Sequence, residues 1–197
     1  MKIKVIKDKA YKIITRENNS ELAKKINQLS KKIFQKYKGL YKKLENYDKN
    51  YSRNENFELD LIEDNQIKIE NNPEEIIAFI ESDLINFNRE LTGNGLVRDR
   101  KLLSSALANP FSSFGGSDLY ETIFDKAGQL CFGLIKNHPF IDGNKRTAIH
   151  ALLVFLELNK IEISLTEDEL YKVVIAVAEN SMNNKDLVNW LKSKYNN

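Results

Sequence analysis

The chain has 197 residues, 42% hydrophobic and 29% charged, the composition of a globular domain or of one domain with a small appendage. With 8 Gly and 3 Pro it is neither collagen-like nor of low complexity, and its single cysteine, Cys131, excludes an intramolecular disulfide and Cys-based zinc sites. No apolar run approaches the roughly 20 residues of a membrane span, and the basic N-terminus lacks the apolar stretch of a signal peptide, so a cytoplasmic protein without a membrane partner is expected.

The net charge of +2 conceals three blocks: residues 1–53 hold 16 Lys/Arg against 5 Asp/Glu, residues 54–90 hold 2 against 11, and residues 91–197 hold 12 of each. The break near residue 54 and the neutral remainder suggest an appendage joined to a main domain, expected as residues 1–72 and 73–197.

In chain order, residues 3–14 mix lysines with β-branched residues and suit a short strand. Ser20 is placed to cap a helix over 20–46, with Leu22, Ile26, Leu29, Ile33, Tyr37, Leu40 and Leu44 on one face and lysines on the other. The apolar stripe suits dimerisation. The lysines suit a solvated face, pairing with the acidic 54–90 segment, or contact with nucleic acid or an acidic protein. Alternation at Phe57, Leu59, Leu61, Ile67 and Ile69 predicts a hairpin turning at 63–65. The appendage thus reads as α+β or helical.

Asn72 and Pro73 are a helix-start signal, followed by a stripe at Ile76, Ile77, Ile80, Leu84 and Phe87 and a stop at TGNG, 92–95. A short helix spans 101–108. The stretch NPFSSFGGSDLYET is a loop or hairpin. A helix runs from about Leu119 to Lys136, an apolar one from about Lys145 to Leu158, another from the Thr166 cap, and a last one over 184–195. Cys131 and His150 fall on apolar helices and read as buried, structural side chains.

Functional residue types concentrate in HPFIDGNKRTA, residues 138–148. The segment joins the end of one apolar helix to the start of the next. Gly143 permits a tight turn there. The N–H groups of a helix start and its dipole favour an anion, and Lys145 and Arg146 add full positive charges. Cations at a helix N-terminus are costly unless an anion compensates. Asp142 is placed to hold Mg²⁺ against phosphates. His138 can take a proton near neutral pH, and Phe140 should point inward. A base, a metal carboxylate, an anion nest and two cations describe phosphoryl or nucleotidyl transfer.

At these residues the sequence resembles the Fic/Doc family, and Lys145 resembles its death-on-curing (Doc) toxin branch. NGLVRDRKLLSSALANPFSSFGG is similar to the family's upstream helix and flap, and LIKNHPFIDGNKRTAIHALLVFLELN to its core; the likeness covers about residues 74–192. It implies an all-α, mainly helical fold with a short flap hairpin, and use of ATP with Mg²⁺. By the same resemblance His138 is the general base for a target-protein hydroxyl and Asp142 the Mg²⁺ ligand. Gly143 and Asn144 form the anion-binding turn, Lys145 and Arg146 bind the triphosphate, and Phe140 anchors the loop. Phe114, Gly115, Gly116 and Ser117 form a flap that pairs with the substrate.

Two departures bear on the chemistry. The broad pattern HxFx(D/E)GNGRxxR has Gly where this chain has Lys145, and its final Arg falls at Ile149. Doc-type proteins share the Lys and transfer the terminal phosphate of ATP to elongation factor Tu. The resemblance therefore favours a protein kinase, a toxin of a toxin-antitoxin module that blocks translation, over an adenylyltransferase. The alternative of another class is an inert module that binds nucleic acid or a partner. The family's inhibitory pattern [ST]xxxE[GN] is absent, since Glu17, Glu45, Glu55, Glu70 and Glu179, the glutamates before Asn, lack Ser or Thr four residues upstream. The Doc branch implies a separate antitoxin instead. A divergent inhibitory helix inside 20–46 stays open.

Overall fold

The structure, a computed structural model, describes residues 12–17, 19–50 and 75–195. The expected hairpin at 57–69 and the Asn72–Pro73 start signal lie outside the described residues.

β1 (Lys12–Ile14) pairs in parallel with β2 (Glu75–Ile77), Ile13 opposite Ile76. Ile76 and Ile77 were expected in a helix; they form a strand instead. Both are β-branched, which restricts χ1 against a helical turn, and they meet the β-branched Ile13 and Ile14. Asn159 fixes the strand from the other side, accepting from the Ile77 N–H at 2.8 Å and donating to its carbonyl at 3.0 Å. The helix begins later, as α3 (Glu81–Thr92), where Asp83 Oδ2 accepts from the Ile80 N–H at 2.9 Å. Gly93 ends it at φ 86°.

The expected helix over 20–46 is two: α1 (Ser20–Lys36) and α2 (Lys38–Lys49), broken at Tyr37 with φ −115° and ψ 29°. The Tyr37 hydroxyl donates to the Leu165 carbonyl at 3.3 Å, tying the break to the main body. The cap is Asn19, not Ser20: its Oδ1 accepts from the Leu22 N–H at 3.0 Å. The stripe that suited a dimer is spent within the chain, since Leu22, Ile26, Ile33, Leu40 and Leu44 are buried in the common core. Lys24, Lys25, Lys31, Lys36, Lys38 and Lys42 stay exposed, while Lys32 and Lys43 pair with Glu157 and Asp168.

α4 (Arg100–Ala108), a 3-10 turn (Asn109–Phe111) and a hairpin of β3 (Ser113–Phe114) and β4 (Ser117–Asp118) follow, then α5 (Ile123–Asn137), α6 (Asn144–Leu158), α7 (Glu167–Ala178) and α8 (Asn184–Tyr195). Thr122, not Leu119, opens α5; its hydroxyl accepts from the Asp125 N–H at 3.1 Å, and Asp125 bonds back to the Thr122 N–H at 2.8 Å. α6 is buried from Asn144 to Leu158 except at Lys145 and Glu157. A helix apolar all round must be enclosed, and α1, α3, α5 and α7 enclose it. The site lies where the end of α5 meets the start of α6. Among the described residues the architecture is all-helical apart from two short strand pairs and the isolated bridge between Val97 and Phe140. Among the described residues no helix is long and apolar enough to cross a membrane.

His150, on α6, carries a buried polar chain. Ser30 Oγ donates to Glu90 Oε2 at 2.8 Å and stands 2.9 Å from His150 Nε2; Tyr41 Oη stands 2.8 Å from His150 Nδ1. The Ser30 proton is committed to the carboxylate, so Nε2 must be the donor to Ser30 and Nδ1 the acceptor from Tyr41. One tautomer therefore joins α1, α2, α3 and α6.

Candidate active site

α5 ends at Asn137, and His138 caps it in the left-handed conformation, φ 48° and ψ 55°. That geometry is costly for a residue with a Cβ. Arg98 helps to hold it, its Nε donating to the His138 carbonyl at 2.7 Å and its Nη2 to the Asn137 carbonyl at 2.9 Å. These bonds satisfy carbonyls left free at the helix end.

The next residues form one antiparallel bridge, Val97 with Phe140, with the Ile141 N–H on the Leu96 carbonyl at 3.0 Å. Phe140 is buried. The Asn144 side chain grips its backbone twice, accepting from the Phe140 N–H and donating to its carbonyl, both at 2.9 Å. Gly143 turns the chain at φ 75°, and a Cβ there would lie 2.4 Å from Thr92 Cγ2 and 3.1 Å from Asn88 Nδ2. Only glycine fits. Asn88 closes the turn by donating to the Asp142 carbonyl at 2.8 Å and to Thr147 Oγ1 at 3.0 Å.

Gly143 is also the N-cap of α6, and no side chain caps that helix. Its own N–H is taken by Asp142 Oδ1 at 2.6 Å. The Asp142 side chain is about half exposed, 49%. Arg146 lies behind it, buried, with Nη2 at 2.8 and 2.9 Å from the two Asp142 oxygens and Nη1 on the Leu91 carbonyl at 3.1 Å. Its Nε is buried without a partner. Lys145 turns the other way: its Nζ meets Asp48 Oδ1 at 2.7 Å and lies 5.1 Å from the centre of the Tyr47 ring. The anions that compensate the two cations are thus carboxylates of the chain itself, one of them from α2.

Asp48, His138, Ile141, Asp142, Gly143, Asn144 and Lys145 line a polar cleft of about 250 Å³. The His138 imidazole is held below its ordinary pKa, first by partial burial, then by the charges of Lys145 and Arg98, with Asp48 opposing them. It is neutral at pH 7 and can accept a proton.

Of the residues singled out in the sequence, His138, Asp142, Gly143, Asn144 and Lys145 meet on this cleft. Phe140 packs beneath it, and Arg146 stands behind Asp142. Phe114, Gly115, Gly116 and Ser117 form the β3–β4 turn, with φ 59° and 85° at the two glycines, and do not line the cleft. Lys126, fully buried on α5, anchors that hairpin through Asp118 Oδ2 at 2.8 Å and the Tyr120 carbonyl. Three contributors escaped sequence reasoning. Arg98 sits in a polar turn and Asn88 interrupts an apolar stripe, the one hint available. Asp48 lies among lysines, 97 residues from its partner, with no local signal.

The loop between α5 and α6 thus places the His138 imidazole and the Asp142 carboxylate beside an uncapped helix start. Residues 74–156 match the model described as Fic/DOC family. Toxin Doc of Mycolicibacterium smegmatis (strain ATCC 700084 / mc(2)155) is 42% identical over 72 residues, which are 36% of this chain and 55% of that protein. The matched part thus spans about half of that relative.

Proposed function

We propose that the chain is a Doc-like toxin of a toxin-antitoxin module, a Mg²⁺-ATP-dependent kinase that phosphorylates a hydroxyl of elongation factor Tu and so blocks translation. The observation that carries this reading is the cleft itself: a neutral His138, the accessible Asp142 carboxylate and the uncapped α6 start on one surface. The residues fit a metal-bound triphosphate. Asp142 is open to a cation, Mg²⁺ takes only one or two protein carboxylates when phosphates supply the rest, and the Arg146 Nε and the α6 start lack acceptors.

ATP with Mg²⁺, when bound, supplies the phosphoryl group and the charge that balances its oxygens. The chain's residues do the rest. His138 takes the proton of the target hydroxyl through the imidazole nitrogen left without one. The oxygen then bonds to the terminal phosphorus as the bond to ADP breaks. Asp142 holds the cation, and the α6 start with Lys145 receives the phosphates. Phe140 and Asn144 keep the loop in place.

The likeness to Toxin Doc supports a separate antitoxin. The geometry supports a second restraint, within the chain. α2 carries Asp48 onto Lys145, and the negative charge of Glu45 is felt by Arg146. An entering phosphate must displace Asp48. We read α2 as the divergent inhibitory helix.

Intact-mass spectrometry of elongation factor Tu after incubation with the chain, ATP and Mg²⁺ tests the reading, with His138→Ala as control. A phosphoryl-sized gain that the variant abolishes is expected. An adenylyl-sized gain would replace the kinase by AMP transfer. Absence of any gain, together with nucleic-acid binding lost on charge reversal of the α1–α2 lysines, would favour the binding module.

A further inference from the structure

Among the described residues, four large apolar side chains stand exposed: Leu96, Phe114, Leu119 and Ile141. Phe114 and Leu119 belong to the flap hairpin and its continuation. Leu96 and Ile141 come from distant parts of the chain and meet beside the cleft. The Val97–Phe140 bridge is antiparallel, so the next pair in register is Leu96 with Ile141, and the Ile141 N–H bonds to the Leu96 carbonyl at 3.0 Å. Directly opposed residues project to one face with β-carbons about 5 Å apart, and their neighbours project to the other. Phe140, 1% exposed, goes into the core, while Leu96 and Ile141 go outward, 52% and 64% exposed. Together they form an apolar ledge. Ile141 also lines the cleft that holds His138.

We propose that this ledge receives an apolar side chain of the target protein, next to the residue whose hydroxyl reaches His138. This rests on the reading of His138 as the base for a protein hydroxyl. Three observations bear on the occupant. The cleft wall is otherwise polar, which suits phosphates, so the apolar pair serves something other than the triphosphate. The two side chains stand outward, each more than half exposed, although both are aliphatic. And a hydroxyl delivered to His138 brings its chain neighbours with it, at about 3.3 Å per residue, so that one or two residues along they lie over the cleft rim. The ledge then favours targets with an aliphatic residue flanking the acceptor, and disfavours charged ones by leaving a charge against apolar surface.

The test is steady-state transfer to elongation factor Tu with ATP and Mg²⁺, comparing the intact chain with Leu96→Asn and with Leu96→Asn combined with Ile141→Asn, folding being checked by circular dichroism. Loss of one or two partly buried aliphatic contacts should raise the KM for the target about tenfold, while Leu96→Asn leaves the KM for ATP within about twofold. Leu96→Val with Ile141→Val, which keeps the ledge apolar, should restore most of the loss. An unchanged KM for the target overturns the proposal. So does a raised KM for ATP, which would give the ledge to the nucleotide. Concentration-dependent self-association in light scattering, lost in the variants with the target KM unmoved, would give it to a second copy and overturn it likewise. If neither the intact chain nor its Asp48→Asn variant modifies elongation factor Tu or any protein of a cell lysate, the kinase reading fails and the ledge proposal fails with it. Transfer by the intact chain with unaltered variants sinks the ledge alone.

Discussion

Asp48 Oδ1 and Lys145 Nζ stand 2.7 Å apart although 97 residues separate them in the chain. Both side chains are largely withdrawn from solvent, 22% and 13% exposed, and Lys145 also lies over the Tyr47 ring. The cation nearest the proposed phosphate site is therefore already satisfied. Asp48→Asn removes the competing charge and keeps the shape. ATP affinity in the presence of Mg²⁺ should rise about tenfold, the worth of one partly buried ion pair. Isothermal titration measures it. A weaker affinity would mean that Asp48 supports Lys145 instead of competing for it.

The same variant has a second signature. Burial and the charges of Lys145 and Arg98 hold His138 below its ordinary pKa, and Asp48 opposes them. Catalysis by the neutral imidazole should be flat through pH 7 and fall on acidification, with its midpoint below about 6.5. Asp48→Asn should move that midpoint to lower pH, and Arg98→Gln should move it up. A profile of kcat/KM against pH, taken for all three proteins, would refute the assignment of His138 as base if the acid limb did not move.

Gly143→Ala is expected to disable the loop. Its φ is 75°, and the added carbon would meet Thr92 Cγ2 at 2.4 Å. The left-handed conformation alone costs about 1–2 kcal/mol in an L-residue with a side chain. Thr92→Ser removes the offending methyl group. The double variant should therefore recover part of the lost stability in urea denaturation, though not the backbone cost.

The motif loop was legible because its determinants are local. His138 through Arg146 lie within one turn and one helix start, so residue types and offsets suffice to anticipate the geometry. The hairpin at Gly115–Gly116 was legible for the same reason, since two adjacent positive-φ residues need glycine. What failed was decided at long range. Ile76 and Ile77 fit the stripe of the following helix, and only pairing with Ile13 and Ile14, far upstream, makes them a strand. The break at Tyr37 leaves no trace in a stripe that keeps its period across it. Asp48 reads as one acid in a basic run until α2 is folded onto α6.

The chain Tyr41–His150–Ser30–Glu90 makes the last prediction, one about stability. Burial pushes the His150 imidazole down to about 3, and burial pushes the Tyr41 phenol up. In the folded protein His150 stays neutral where the unfolded chain takes a proton at about 6.5. The unfolded state thus binds more protons below that pH, and stability must fall on acidification, by about 1.4 kcal/mol per pH unit between the two values. From pH 6.5 to pH 5 the loss from this group is about 2 kcal/mol. His150→Leu should remove that slope while lowering stability at pH 7, because Tyr41 and Ser30 lose their partner. Tyr41→Phe should keep the slope and cost about 1–3 kcal/mol, the desolvation cost of leaving Nδ1 unpaired. Urea denaturation from pH 5 to pH 8 separates the two. If His150→Leu retains the slope of the parent, His150 is not the group that titrates, and the acid sensitivity comes from His138, which burial and the charges of Lys145 and Arg98 also hold below its ordinary pKa.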